Sequence, residues 1–448
     1  MLALNPNKKQ LSSSLVAVLL LVQTISTRAA DGDEVVASLP TFIDSLTSAL
    51  YEKSNECTSS WGISMAFDLV LPGSDNAVTD EQVCDVVGLC TADAGTTTPA
   101  LLWANTVDGM TTKYNGNCFN TMDDGICEGG VPLLKIANSI WIDDDVTVKP
   151  DFEVLIGDFL VETDFSDETF GATVNHWVNQ STLGLIDSII NEGPSDALLI
   201  AINSIYLKAA WQNDFSEGET TTDFFYTDVG RTQALSSEVR FMHSVRNVAY
   251  SDQLIKDHQI VALDYAASTL AMVIVLPFAN ADQELVPVED IIGVLPNLEY
   301  QRVALALPRF KFESKYKENL KATLQSLGLT APFEDGSFCG LTEEMCLFVS
   351  DIIHKTSIEV DEKGTIAAAA TEIILVESGM EDGEPPTPIL FQADHPFQFF
   401  IYDRESQVVL FEGRVGAPTS TEIPATVRHT DKHFWRERFG ADPEVVSS

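Results

Sequence analysis

The segment 354–371, HKTSIEVDEKGTIAAAAT, limits what this chain can fold into more than any other. Thr356 to Val360 alternates polar and apolar residues as a strand does, and Gly364 and Thr365 then open a run of four alanines, Ala367 to Ala370. Taken alone, the run suits a helix as well as a strand, because alanine is the best helix former and a poor strand former. Read at period two, Thr365, Ala367, Ala369, Thr371, Ile373 and Leu375 share a face without charge; Ile366, Ala368, Ala370, Glu372, Ile374 and Val376 share the other. Such a segment can enter a sheet as a central strand, burying the uncharged face and leaving Glu372 in solvent.

The flanks decide between helix and strand. EKGT followed by AAAAT, upstream of Ala393-Asp394-His395-Pro396-Phe397-Gln398-Phe399-Phe400-Ile401, resembles the hinge and reactive loop of the serpin family, protease inhibitors that insert their cleaved loop into their own main sheet. Further matches follow in the family's order: Asn175-His176-Trp177-Val178 with Thr182-Leu183-Gly184-Leu185-Ile186, Asn203-Ser204-Ile205-Tyr206-Leu207-Lys208-Ala209-Ala210-Trp211, and Met272 to Pro277. Leu307-Pro308-Arg309-Phe310-Lys311-Phe312, Leu327-Gly328-Leu329 with Phe333, and Phe411-Glu412-Gly413-Arg414-Val415 complete the series.

The resemblance implies an α+β single domain over 31–418, with three β-sheets, about eight or nine helices and an exposed reactive-centre loop at 362–392. It assigns the hinge to Glu362, Gly364, Thr365, Ala367, Ala368, Ala369 and Ala370, and the core that opens the sheet to Ser59, Asn203, Trp211 and His354. His354 is then a satisfied core histidine rather than a general base. One departure stands out: in Ser59-Ser60-Trp61-Gly62, Gly62 replaces the second serine of the family's SPxS motif, with Ser64 as a substitute.

The implied activity is suicide inhibition of serine (or cysteine) proteases: the target attacks the loop, forms its acyl-enzyme, and is trapped as the loop inserts. Counting forward from Glu362 places the cut between Ser378 and Gly379, with Met380 and Glu381 as the alternative; counting back from Pro396 falls nearer Pro385. No Lys or Arg lies between Lys363 and Arg404, so the partner expected is chymotrypsin-, elastase- or subtilisin-like rather than trypsin-like. The alternative is a non-inhibitory serpin acting as carrier, chaperone or storage protein. An enzyme is not indicated: GxSxG, HExxH, Walker and GxGxxG motifs are all missing. Ser314 to Lys317 matches SxxK without partner motifs, and Asp143-Asp144-Asp145 lacks calcium-loop spacing. No cofactor and no metal are expected.

Residues 1–30 read as a secretory signal peptide, with Lys8 and Lys9 before the apolar run Leu15 to Val22, which is too short to span a bilayer. The expectation is a secreted, extracellular monomer. The chain carries 26 basic and 67 acidic residues, and the leader takes away Lys8, Lys9 and Arg28 but no acid. Such acidity argues against nucleic acid, and the single basic residue between 80 and 115, Lys113, argues against heparin-type activation. Among seven cysteines, the pairs 84 with 90, 118 with 127 and 339 with 346 suit local bridges and leave Cys57 odd. The HxxxH of His429 and His433 lies far from any cysteine, which disfavours zinc.

Helical periodicity dominates 36–90 and 151–190, and strand-like runs recur at 198–207, 239–250, 259–264, 270–277, 302–312, 347–360 and 397–412. Residues 91–130 read as an inserted low-complexity loop, and 419–448 as a C-terminal tail rich in basic and aromatic residues. Asn179-Gln180-Ser181 is a glycosylation sequon.

Overall fold

The computed structural model describes residues 32–51, 55–89, 132–191, 197–235, 237–279, 281, 285–316, 320–365 and 387–418. Among these are seven α-helices: α1 (Gly32–Leu50), α2 (Ser60–Val70), α3 (Ala77–Val87), α4 (Pro150–Ile156), α5 (Phe170–Ser181), α6 (Val288–Val294) and α7 (Leu320–Ser326). The strands are β1 (Glu56–Thr58), β2 (Leu133–Asp143), β3 (Leu160–Thr163), β4 (Leu199–Ala210), β5 (Thr221–Asp223), β6 (Val239–Ser251), β7 (His258–Asp264) and β8 (Leu270–Pro277). They continue as β9 (Glu299–Pro308), β10 (Phe310–Tyr316), β11 (Asp351–Asp361), β12 (Gly364–Thr365), β13 (Ile389–Gln392), β14 (Phe397–Asp403) and β15 (Val408–Val415).

The class is α+β as expected. The described strands form two hydrogen-bonded sheets instead of three, because β6 pairs with β9 from Phe241 to Tyr250 and also meets β7 at its end, joining what the sequence divides. That sheet has nine strands, ordered β1-β15-β14-β8-β7-β6-β9-β13 with β5 on β6; the other has six, ordered β10-β11-β12-β4-β2-β3. Two predicted runs each divide. The run 302–312 breaks at Arg309 into strands of different sheets, and 397–412 contains the hairpin between β14 and β15, where Gln407 takes a positive φ of 58°.

The core lies between the sheets, and α2 runs through it. Every residue of α2 is buried, and the helix packs against β2 and β4 on one side and β15 on the other, which is why its sequence carries no polar stripe of the usual width. Ser59 caps it, accepting the Gly62 N–H at 3.0 Å. All twelve residues of β4 are buried, because the outer face of the six-stranded sheet is roofed by α5. Phe170, Val174 and Val178 of α5 pack with Trp141 of β2, Ile200 and Ile202 of β4 and Ile353 of β11 in a separate apolar layer. A strand covered on both faces reads as a continuous apolar run, as β4 does.

Candidate functional site: the hinge and the seam below it

At its upper end β11 turns back on itself. Asp361 Oδ1 accepts the N–H of Lys363 at 2.8 Å and of Gly364 at 3.3 Å, an Asx-type turn that sends the chain into β12. Burial pushes the Asp361 carboxyl up to about 6. The two residues of β12 lie between β11 and β4: Gly364 faces Asp361 and Ala210, and Thr365 faces Val360 and Ala209. Glycine is required at 364, since a Cβ there would collide with the Ala209 carbonyl oxygen.

An aromatic wall receives the turn. Trp211 donates its backbone N–H to Lys363 O and its indole N–H to Asp361 O, both at 2.9 Å, and Phe215 donates its N–H to Glu362 O at 2.9 Å. Tyr265 stacks on Trp211 at 4.8 Å with the planes 8° apart, and its hydroxyl bonds the Thr365 hydroxyl. The Glu362 side chain is buried, paired with Arg309 of the segment between β9 and β10 and bonded by the Thr220 hydroxyl. A buried carboxylate is tolerated in a fold when a cation and hydrogen-bond donors meet it.

Lower down, β11 and β4 pair directly and in parallel, from Asp351 opposite Ile200 to Ser357 opposite Tyr206. This seam is bonded by side chains as well as by backbone. His354 and Asn203 stand opposite each other and are both fully buried. The Ser59 N–H donates to His354 Nε2 at 3.1 Å, so the ring proton sits on Nδ1 and donates to Asn203 Oδ1 at 2.6 Å. Asn203 Nδ2 in turn donates to Asn138 Oδ1 on β2. Burial holds the imidazole neutral, its pKa lowered to about 3. Thr356 ties the next turn of the seam to Cys57 O at 2.7 Å.

Gly62 does not leave the hole that a missing serine suggests. A Cβ at Gly62 would lie 2.5 Å from Asn203 Oδ1, so the Asn203 amide occupies the space itself. Ser64 is no substitute, because its hydroxyl donates to Val87 O at 2.8 Å, away from the seam. Beneath, the Ser60 N–H and hydroxyl both donate to Glu412 Oε1, at 2.8 and 2.5 Å. Burial pushes the Glu412 carboxyl up to about 8.

The structure thus divides the predicted residues into two groups. Glu362, Gly364, Thr365 and Trp211 meet at the hinge, whereas Ser59, Asn203 and His354 meet at the seam. Ala367, Ala368, Ala369, Ala370, Ser378, Gly379, Met380 and Glu381 lie outside the described residues. Sequence reading missed Asn138, Tyr265, Arg309 and Glu412. Asn138 and Glu412 were detectable as polar residues inside apolar strand runs, and Arg309 stood in the matched motif at 307–312 without a role assigned to it; Tyr265 gave no local signal. Cys339 and Cys346 are bridged, Cys57 is free and buried, and Cys84 is bonded to a partner outside the described residues. Asp143 to Asp145 do cluster, yet Asp143 Oδ1 and Oδ2 already accept the Asp145 and Phe165 N–H groups.

The family model described as "Serpin (serine protease inhibitor)" matches residues 40–418. An uncharacterized serpin-like protein of Thermococcus kodakarensis is 32% identical over 302 residues, covering 65% of this chain and 68% of its own length. Two solved structures share the fold. The thermophilic serpin tengpin in its native state has TM-score 0.68 at 24% identity and covers 85% of this chain and 94% of its own; human thyroxine-binding globulin has TM-score 0.67 at 21% identity and covers 87% and 99%. With the match running from the first helix to the end of the last strand, and with hinge and seam residues standing together at two levels of one sheet, the chain belongs to the serpin family.

Proposed function

We propose that this serpin is an inhibitor that traps serine proteases of small or apolar primary specificity by inserting its cleaved loop between β11 and β4. The observation that carries the reading is β12: Gly364 and Thr365 already occupy the position of a strand between these two, where they stand apart. An unbroken register would continue downward, bringing Ala367 opposite Ile358 and Leu207, Ala369 opposite Thr356 and Ile205, and Thr371 opposite His354 and Asn203. The uncharged face would then enter the core, and the Thr371 hydroxyl would meet the two polar groups that insertion separates. The chain supplies no catalytic group in this scheme; the driving force is strand pairing and burial.

The target forms an acyl-enzyme at Ser378-Gly379, or at Met380-Glu381. We further infer secretion as a monomer, since the Cys339–Cys346 bridge suits an oxidising compartment. Among the described residues no helix is long and apolar enough to cross a membrane. Incubation with pancreatic elastase, chymotrypsin, subtilisin and trypsin tests the reading. An SDS-stable complex with one of the first three, and a released peptide beginning at Gly379 or Glu381, is expected. Cleavage without a complex by every protease would favour a carrier or storage role, as the likeness to thyroxine-binding globulin allows.

A further inference from the structure

We infer that Asn179 is a glycan acceptor on the outer side of the helix that roofs the seam; this rests on the proposed passage through a secretory pathway. Asn179-Gln180-Ser181 is the sole Asn-x-Ser/Thr sequon of the chain, and it falls in the last turn of α5, where the helix ends at Thr182. The acceptor atom Nδ2 makes one weak contact, 3.4 Å to Asp187 Oδ1 on an exposed loop. The neighbouring Gly184 leaves the space around it open: a Cβ built there would meet nothing within 4 Å except Asn179 Nδ2, at 4.0 Å. Leu183, between them, is 58% exposed.

The anchoring of α5 does not depend on this side chain. Phe170, Val174 and Val178 hold the helix to the sheet, and Asn175 holds the following segment through the N–H groups of Ile189 and Ile190, at 2.7 and 3.1 Å. The Thr182 hydroxyl, donating to Val178 O at 2.7 Å, closes the helix end. A sugar on Nδ2 therefore displaces only the Asp187 contact. It projects over the roof of the seam without entering it.

The test is expression of the full chain in a glycosylating eukaryotic host, with intact mass measured before and after peptide-N-glycosidase F. The inference expects one glycan, its removal leaving Asp at 179, and no mass change on digestion of Asn179→Gln or Ser181→Ala. The two variants should match wild type in melting temperature to within a few degrees. Wild-type protein of unchanged mass, or a glycan persisting in Asn179→Gln, overturns the inference. If the chain's own leader fails to export it, secretion is disproved separately. The same digestion behind the host's leader then decides the acceptor site.

Discussion

The upper and lower halves of one pair of strands behave differently. At the top, β11 and β4 are held apart by two residues of β12; from Ser357 and Tyr206 downward they are bonded to each other, with His354, Asn203 and Ser59 locking the middle. The top is filled by small groups against an aromatic wall, and the hinge backbone is satisfied there. The middle is held by a chain of hydrogen bonds among buried polar groups, each costly to leave unmade. A sheet built this way has a defined entry point and a defined resistance. On the proposed mechanism, insertion would replace the β11–β4 pairing with two new pairings, and so would be favourable overall but obstructed at the polar level.

Four changes would break or sharpen this contrast. The largest effect is expected at the entry point. Thr365 is already 1% exposed against Tyr265 in the intact form, so Thr365→Arg should expel β12 from between β11 and β4, and insertion would then have to bury the charge at a cost of several kcal/mol. The variant should be cleaved as a substrate, with no SDS-stable complex on a gel. Next comes the lock: Asn203→Ala removes the bond from His354 Nδ1 to Asn203 Oδ1 and the one Asn203 makes to Asn138 Oδ1, a loss of about 2–4 kcal/mol read as a lowered urea midpoint. Spontaneous opening of the seam should accelerate as well, measurable as loss of inhibitory activity on storage.

A smaller and opposite effect is expected at Glu372. The sequence reading left this side chain in solvent, but in the continued register it would fall opposite Ile202 and Ile353, whose outer sides lie under α5. Glu372→Ala should therefore stabilise the cleaved form by about 1–3 kcal/mol and leave the intact form unchanged, by thermal scans of each.

Acid should act on the lock. His354 is held near 3 in the fold against 6.5 in an open chain, so the unfolded state takes up the proton first as pH falls below about 6.5. Stability from this group is complete above that value and declines toward pH 3, by about 2 kcal/mol at pH 5. Glu412 works in reverse: raised from 4.5 to about 8, it favours the fold below pH 4.5 and loses that contribution as pH rises to 8. Urea midpoints of wild type and Glu412→Gln, measured from pH 5 to 8, should diverge with the variant gaining as pH rises.

The two levels of the sheet were not equally legible from sequence. The hinge signals are local: Gly364 and the alanines follow a strand with clear alternation, and of these residues the structure places Gly364, with Thr365, in β12, while the alanines lie outside the described residues. His354 and Asn203 could be named only by resemblance, since a lone histidine in an apolar strand says nothing about what faces it. The compensation at Gly62 was invisible. It depends on a residue far along the chain filling the space, which only the packed fold brings there. Likewise the roof over β4 and β11 depends on α5 crossing both strands, a tertiary arrangement that no local pattern announces.

The central claim is that the seam between β11 and β4 accepts the rest of the loop once the loop is cut. Comparing the melting temperature of the intact protein with that of the same protein nicked between 375 and 386 tests it most directly. Insertion would complete a central strand and bury its apolar face, so the midpoint should rise by roughly 10 °C or more. Equal midpoints for the two forms would contradict the account.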